Sequence, residues 1–331
     1  MAARSQPETS LKPERLTVDL SAVVVAVTGE EPRVLVLPSR GRDSDALPSG
    51  RLESNHRTLE AGLRSWVEHQ TLHSLGYVEQ LYTFGDLDRT VAAVGERVLS
   101  IGYVALVREA RSLGATGAAW RGWYQYFPWE DWRDGKPLAL ARIERHLRRW
   151  IAASGSSGER RTREQRARLF GLGDMPWSDE RTLERYELLY ELGLVPEAQR
   201  DGVQVWASDA DARGEGPAMK ADHRRILATA IARLRAKIKY RPVVFELLPP
   251  RFTFLQLQRV VEALEGLRLH KSNFRRLVET QGLVEETGEM SIGAAGRPAR
   301  LLRFRSEVLQ ESSTTGVRLP VARPASPRRA S

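Results

Sequence analysis

The chain reads as an α+β or α/β module at the N-terminus, a helical stretch in the middle, and a helix-turn-helix with a strand hairpin at the C-terminus. Three observations predict this. Strand-like runs surround one amphipathic helix up to about residue 135. A charged, helix-prone texture then takes over from Lys136. Near the end, two short helices separated by a Gly-containing turn precede two strand-like runs. A length of 331 residues suits about two domains.

The charge divides in the same way. From Lys220 onward there are 22 Lys+Arg against 10 Asp+Glu, a net of +12, while residues 1–219 sum to −3. A basic end on a mildly acidic body predicts a nucleic-acid-binding module attached to one with another task. The chain has no cysteine, which excludes disulfides, Cys-ligated zinc and a thiol nucleophile. The longest apolar run, Ala22–Val27, is far below the ~20 residues that span a bilayer. Residues 1–15 read as a flexible leader without signal-peptide character, so a cytoplasmic protein with no membrane partner is expected.

In chain order, Leu16–Thr28 and Arg33–Leu37 read as strands joined at Gly29-Glu30-Glu31-Pro32. Thr58–Leu75 carries Leu59, Leu63, Trp66, Val67 and Leu72 at helical spacing, with Gly76 as its expected stop. Tyr77–Phe84 and Arg97–Val107 return to strand character. Seven aromatic residues between Trp120 and Trp132 form a dense cluster that either walls a cleft or packs an interdomain seam. Residues 136–216 read as a helical insertion, a solvated excursion or a dimer contact, with helices over Leu138–Ala153, Arg160–Phe170 and Asp179–Leu194. Residues 217–240 read as a linker helix striped by Ile226, Leu227, Ile231, Leu234 and Ile238. It ends where Pro242 disfavours continuation. Residues 307–331 read as a disordered basic tail.

The stretch 241–306 has the grammar of a winged helix. Thr253 is an N-cap for a helix over Phe254–Leu264, and Gly266-Leu267-Arg268-Leu269 makes the turn. Lys271–Thr280, capped by His270 or Ser272, follows as the recognition helix. Phe274, Leu277 and Val278 face inward there, and Ser272, Asn273, Arg275, Arg276 and Glu279 face outward. Arg suits phosphates and guanine edges, and Asn suits adenine edges. Leu283–Thr287, Gly288–Pro298 and Ala299–Phe304 read as strand, loop and strand, with Arg297 at the wing. The expected DNA contacts are Thr253, Lys271, Ser272, Asn273, Arg275, Arg276 and Arg297. A winged helix used for protein contact is the alternative.

The N-terminal module carries a partial match to a known box, Gly-x5-Glu-x7-Arg-Glu-U-x-Glu-Glu-x-Gly-U with U apolar. Aligned at Gly50, the chain keeps Arg64, Trp66, Glu68 and Leu72, but places His56, Ser65 and His69 at three of four carboxylate positions and Thr71 at the second Gly. This resembles a degenerate Nudix domain. Downstream, Glu79–Asp86, Asp88-Arg89, Arg97–Tyr103, Lys237–Val243, Phe245–Pro249, Phe252-Thr253, Leu257-Gln258, Asn273–Arg276, Glu285–Gly288 and Gly296–Ala299 look like the Nudix-related transcriptional regulators of NAD metabolism. The resemblance covers about residues 16–130 and 217–306. It implies a homodimeric repressor with winged helices on a palindromic operator in double-stranded DNA. It also implies a cleft that senses an ADP-ribose-like nucleotide, with NAD and ATP as other candidates. By motif match the effector contacts would be Arg40, Ser49, Gly50, Glu79, Tyr82, Phe84, Arg89 and Arg97. Tyr82 and Phe84 either stack on a ring or, since they alternate along a strand, pack a core. One surviving carboxylate is a poor cage for a hard divalent cation, so no catalytic or metal residue and no cofactor are expected. An active Nudix pyrophosphatase on ADP-ribose, and a scaffold without effector, are the competing readings.

Overall fold

The structure is a computed structural model that describes residues 15–38, 44–86, 96–108, 117–173, 175–204, 206, 215–239, 243–291 and 298–305. Residues 1–14, the expected tail, and the candidate site residues Arg40, Arg89 and Arg297 lie outside the described residues.

The spine of the N-terminal module is β1 (Arg15–Thr28), whose Val-rich run is buried on both faces, as a central strand requires. It pairs in parallel with β5 (Glu96–Leu106) and antiparallel with β2 (Glu31–Val36) and β3 (Ser49–Arg51). With β4 (Tyr77–Phe84) and β6 (Ala119–Gly122) the order is β4-β5-β1-β2-β6, a mixed sheet with β3 beside β1. Alternation along β1 sends Leu20, Ala22 and Val24 to one face, against Leu63 and Val67 of α1 (Leu59–Thr71). Val23 and Val25 go to the other, which is covered by α7 (His223–Ile238). The result is a three-layer sandwich.

The first helix stops four residues before the end expected from its pattern. Thr58 caps its start through a hydroxyl that accepts from the Ala61 N–H, and Leu72 closes it in the left-handed region at φ 56°. Leu72 is therefore 74% exposed rather than part of the apolar face. Gly76 does not form the cap. Arg64 holds the following loop instead, donating to the carbonyls of Leu75 and Gly76.

After the short α2 (Trp123–Tyr126), the middle stretch forms α3 (Leu138–Ala152), α4 (Ser157–Ala167), α5 (Thr182–Glu191) and α6 (Pro196–Arg200). It is not a solvated excursion. Leu140, Ile143, Leu147, Phe170, Tyr186 and Leu189 share one continuous core with α7 and the sheet. The helix expected to link the modules is buried by α5 on one side and by β1, β4 and β5 on the other. Gly102 admits it: a Cβ there would lie 2.9 Å from Ile226.

At the C-terminus, α8 (Phe254–Glu265) opens with a reciprocal capping box between Thr253 and Gln256 and closes on Gly266 at φ 69°. The recognition helix α9 (Lys271–Thr280) has His270 at its N-cap position, with no side-chain cap bond from it. The hairpin β7 (Val284–Met290) and β8 (Arg300–Phe304) completes the module. The first wing strand runs three residues further than expected, through Gly288 at φ 79°, where the register shifts.

Candidate functional site

The cleft residues do not converge on a single wall. Gly50 pairs with Leu20 and so faces α1, where the Trp66 ring covers it. Trp66 is fixed by its Nε1–H, which donates to the Arg51 carbonyl at 2.8 Å. A Cβ on Gly50 would sit 2.2 Å from the Trp66 ring carbons. Gly50→Ala is therefore expected to lower stability by about 1–3 kcal/mol in urea denaturation, because the ring moves only by giving up that hydrogen bond. A midpoint equal to wild type would show that Trp66 does not hold this strand. The Ser49 backbone is joined to α1 by Gln70, which accepts its N–H at 3.1 Å and donates to its carbonyl at 2.8 Å.

Glu79 and Phe84 lie on the opposite face, under α7. Glu79 is bonded by Lys237 and by the Tyr77 hydroxyl. Burial pushes its carboxyl up, but these hydrogen bonds and the charges of Lys237 and Arg233 outweigh that and hold it below the usual range. Phe84 is buried, with the Arg225 guanidinium 5.2 Å from its ring centre. The core alternative is thus the one realised for Phe84, and it is not an open stacking surface. Tyr82 differs, being 62% exposed and edge-on to Phe84. A bulge between Gln80 and Thr83 turns it outward. Arg97 is exposed nearby and reaches the Gly85 carbonyl at 3.4 Å. Of the described effector candidates, Tyr82 and Arg97 share the accessible end of β4 and β5. Glu79 sits several residues away along the strand.

The box positions do not suit a hard divalent cation. His56 Nδ1 accepts from the Glu53 N–H at 3.1 Å, and its ring lies edge-on to Trp66. Ser65, Glu68 and His69 are exposed, and Glu60 is paired with Arg64. Among the described residues no group of three His, Asp or Glu side chains is gathered for a metal. A single carboxylate with imidazoles is the wrong donor chemistry for such an ion.

The winged helix presents its polar face outward. On α9, Phe274 and Val278 are buried, whereas Lys271, Ser272, Asn273, Arg275 and Arg276 are all exposed. Arg275 is held by Glu279 at 2.8 Å and lies over the Phe254 ring. Asn273 and Arg276 make no side-chain bond to any described residue. Thr253 serves its helix as the cap.

Of the two alternatives that the aromatic cluster offered, the interdomain seam is the one realised, whereas its charged and capping partners carried no local signal. The aromatic cluster packs it: Trp123, Phe127 and Trp129 are buried in the core, and Tyr124 donates to the Ala263 carbonyl at 2.7 Å. The Trp132 backbone N–H donates to the Gly266 carbonyl at 2.7 Å, and Arg235 Nε donates to that of Leu264 at 2.9 Å. The last carbonyls of α8, orphaned by helix geometry, are thus satisfied by the sheet module. Glu30, at the β1–β2 turn, pairs with Arg259 at 3.0 Å and with Arg268 of the helix-turn-helix turn at 3.3 Å. Beneath lies a buried charge cluster. Glu130 accepts from Arg185 at 2.6 and 2.8 Å and from Arg235 at 2.6 Å, with all three side chains inaccessible. Asp179 is bonded to Lys239 at 2.8 Å, and Glu265 of α8 sits beside it.

A three-layer Nudix-like sheet domain bonded to a winged helix is the class of protein that this arrangement defines. Residues 244–304, its winged helix, match the family described as the NrtR DNA-binding winged helix domain. A curated relative, the ADPR responsive transcriptional repressor NtrR of Acinetobacter baylyi, is 43% identical over 83 residues, covering 25% of this chain and 33% of that protein. The matched stretch thus spans about a third of that relative's length. Shewanella oneidensis NrtR, solved with a 27mer DNA, overlays at a TM-score of 0.50 and 18% identity, covering 88% of this chain and 95% of that one. A MutT/nudix family protein from Enterococcus faecalis overlays at 0.52 and 17% identity, covering 88% and 89%. These overlays place the fold. No described helix is long and apolar enough to cross a membrane.

Proposed function

We propose that this protein is a cytoplasmic, homodimeric transcriptional repressor of NAD biosynthesis or salvage genes that responds to an ADP-ribose-like adenine nucleotide. The observation that carries the reading is α9: five polar side chains stand exposed on one face of a helix whose other face is packed, within a domain of NrtR type. That face offers Asn273 and Arg276 to base edges, and Lys271, Ser272 and Arg275 to phosphates, with Arg297 at the wing and Thr253 at the edge of α8. Two such helices in a C2 dimer read a palindrome.

In the cleft, Tyr82 offers an exposed ring for stacking and Arg97 a cation for the pyrophosphate. Ser49 and Gly50, and by motif Arg40 and Arg89, complete the set. The nucleotide is held and not hydrolysed, which the donor chemistry at the box supports. Binding alters operator affinity through unequal affinity for two arrangements of the protein. Because α8 is bonded to the sheet module, α9 follows that module's position.

The test is selection of bound genomic fragments, followed by gel shifts with ADP-ribose, NAD and ATP. Arg276→Ala and Asn273→Ala are each expected to weaken operator binding by about 1–3 kcal/mol while leaving random-sequence DNA much less affected. An equal loss on both DNAs would make them phosphate contacts. Operator affinity that ignores all three nucleotides, or magnesium-dependent release of AMP from ADP-ribose, would overturn the sensor reading.

A further inference from the structure

The basic surplus of the C-terminal third is not the only concentration of positive charge. Over residues 138–170 the chain carries nine arginines and one histidine against three glutamates, with no lysine. The outer side of α3 holds Arg142, Arg145, Arg148 and Arg149, all exposed, while Ile143, Leu147 and Trp150 are packed in the core. Helical spacing puts these four arginines within about two turns, on the side away from the core. Arg142, Arg145, His146 and Arg149 line a hollow of about 120 Å³, and no acidic side chain lines it with them.

The acids nearby are already engaged. Glu144, the one carboxylate on α3, pairs with Lys136 at 2.7 Å. Glu215 accepts from Arg142 at 2.6 and 2.9 Å. Asp134, the last acid before α3, faces Arg268 at 4.0 Å. Arg145 and Arg148 have neither a carboxylate partner nor a side-chain bond among the described residues. Two guanidiniums, charged at any practical pH, are thus left without a counter-charge, and their planar forks suit phosphate oxygens.

Placement selects the polyanion. The chain leading into α3 is bonded to the helix-turn-helix turn, by the Trp132 backbone N–H on the Gly266 carbonyl and by Asp134 on Arg268. From that contact α3 opens shortly afterwards at Leu138, and α9 at Lys271. Arg145 and Arg148 therefore lie within roughly 40 Å of the start of the recognition helix. A duplex held by α9 carries its phosphates past that distance, at about one charge per 1.7 Å of axis.

We propose that the outer face of α3 is a second DNA contact, in which Arg145 and Arg148 grip phosphates of the duplex flanking the operator. This rests on the DNA-binding reading of α9 and extends it beyond the winged helix. The contact adds affinity without reading sequence, because phosphates are the same at every base pair.

The test uses the full-length protein and two duplexes: the selected operator trimmed to its palindrome, and the same operator with about 12 base pairs added on each side, roughly 40 Å. The flanked duplex is expected to bind about tenfold more tightly in low salt, with a log K against log salt slope steeper by about two per chain. Joint Arg145→Ala and Arg148→Ala, at exposed positions that leave the melting temperature unchanged, is expected to abolish both gains and to spare binding of the trimmed duplex. Arg276→Ala is expected to do the reverse, weakening both duplexes and keeping the gain from the flanks. On random-sequence duplex of the flanked length the double variant is also expected to lower the slope by about two per chain, a readout that survives failure of operator reading. Equal binding of trimmed and flanked operators by the wild type, or unchanged slopes in the double variant, would overturn the proposal and leave an acidic protein as the partner of this face.

Discussion

Glu130→Ala is expected to destabilise the protein by about 3–5 kcal/mol, more than any single surface change. The carboxylate is fully buried and accepts hydrogen bonds from Arg185, Arg235 and the Thr182 hydroxyl. Removing it leaves two guanidiniums, which stay charged at any practical pH, buried without a counter-ion. The loss is also expected to reach the winged helix, because Arg235 donates to the Leu264 carbonyl at the end of α8. Urea denaturation measures the cost, and protease cutting near residue 240 reports whether the modules separate. Glu130→Gln keeps the shape and, with its amide oxygen at the Oε2 position, three of the four acceptor contacts, so its cost should be smaller. A destabilisation below about 1 kcal/mol for Glu130→Ala would mean that the cluster is not what closes the seam.

Glu265→Gln is expected to stabilise the protein by about 1–3 kcal/mol at pH 8 and to lose most of that advantage near pH 4. Burial pushes the Glu265 carboxyl well above its ordinary range, and the hydrogen bond with Asp179 and that group's charge push the same way. Among the described residues neither Glu265 oxygen nor Asp179 Oδ2 has a donor, which a proton shared between the two carboxyls would supply. Charge counting agrees: Arg185, Arg235 and Lys239 already balance Glu130, Asp179 and Glu180 without Glu265. A carboxyl whose folded value is raised supports the fold fully below its unfolded value, and that support is lost as pH rises through the folded value. Asp179 runs the other way. Burial pushes it up, but hydrogen bonds from Glu265 and Lys239 and the charges of Lys239 and Arg235 bring it to about 2. Its contribution is present above the usual aspartate value and fades as pH falls toward 2. Melting curves of wild type and Glu265→Gln from pH 4 to 8 should therefore diverge steadily. Parallel curves would mean that Glu265 is ionised in the fold.

The strands and the two winged-helix helices were readable because each carries a local signal. Val-rich runs, the Thr253–Gln256 box and the Phe274–Val278 spacing need no distant partner to be understood. The end of α1 was misplaced because it depends on Arg64 reaching carbonyls eleven and twelve residues onward. The middle helices looked solvated because their charged residues dominate the composition. Their smaller apolar stripes nevertheless find α7, and Arg185 and Arg224 are buried there in pairs with acids far along the chain.

Among the candidate sites, the outward face of α9 was legible residue by residue, since helical periodicity alone separates Phe274 from its neighbours. The cleft was legible only as a motif. Whether Phe84 is surface or core depends on α7 lying over the sheet, and whether Tyr82 is accessible depends on a bulge.

From the order of residues alone follow two modules, their periodic elements, the lost box acids and the basic reading face, because each rests on neighbours within a few turns of chain. Only the folded molecule decided how the modules are joined. A seam of aromatic rings, capped carbonyls and a shared buried charge cluster is assembled from residues near positions 30, 130, 180, 235 and 265, and no local pattern can place such distant groups within hydrogen-bonding reach.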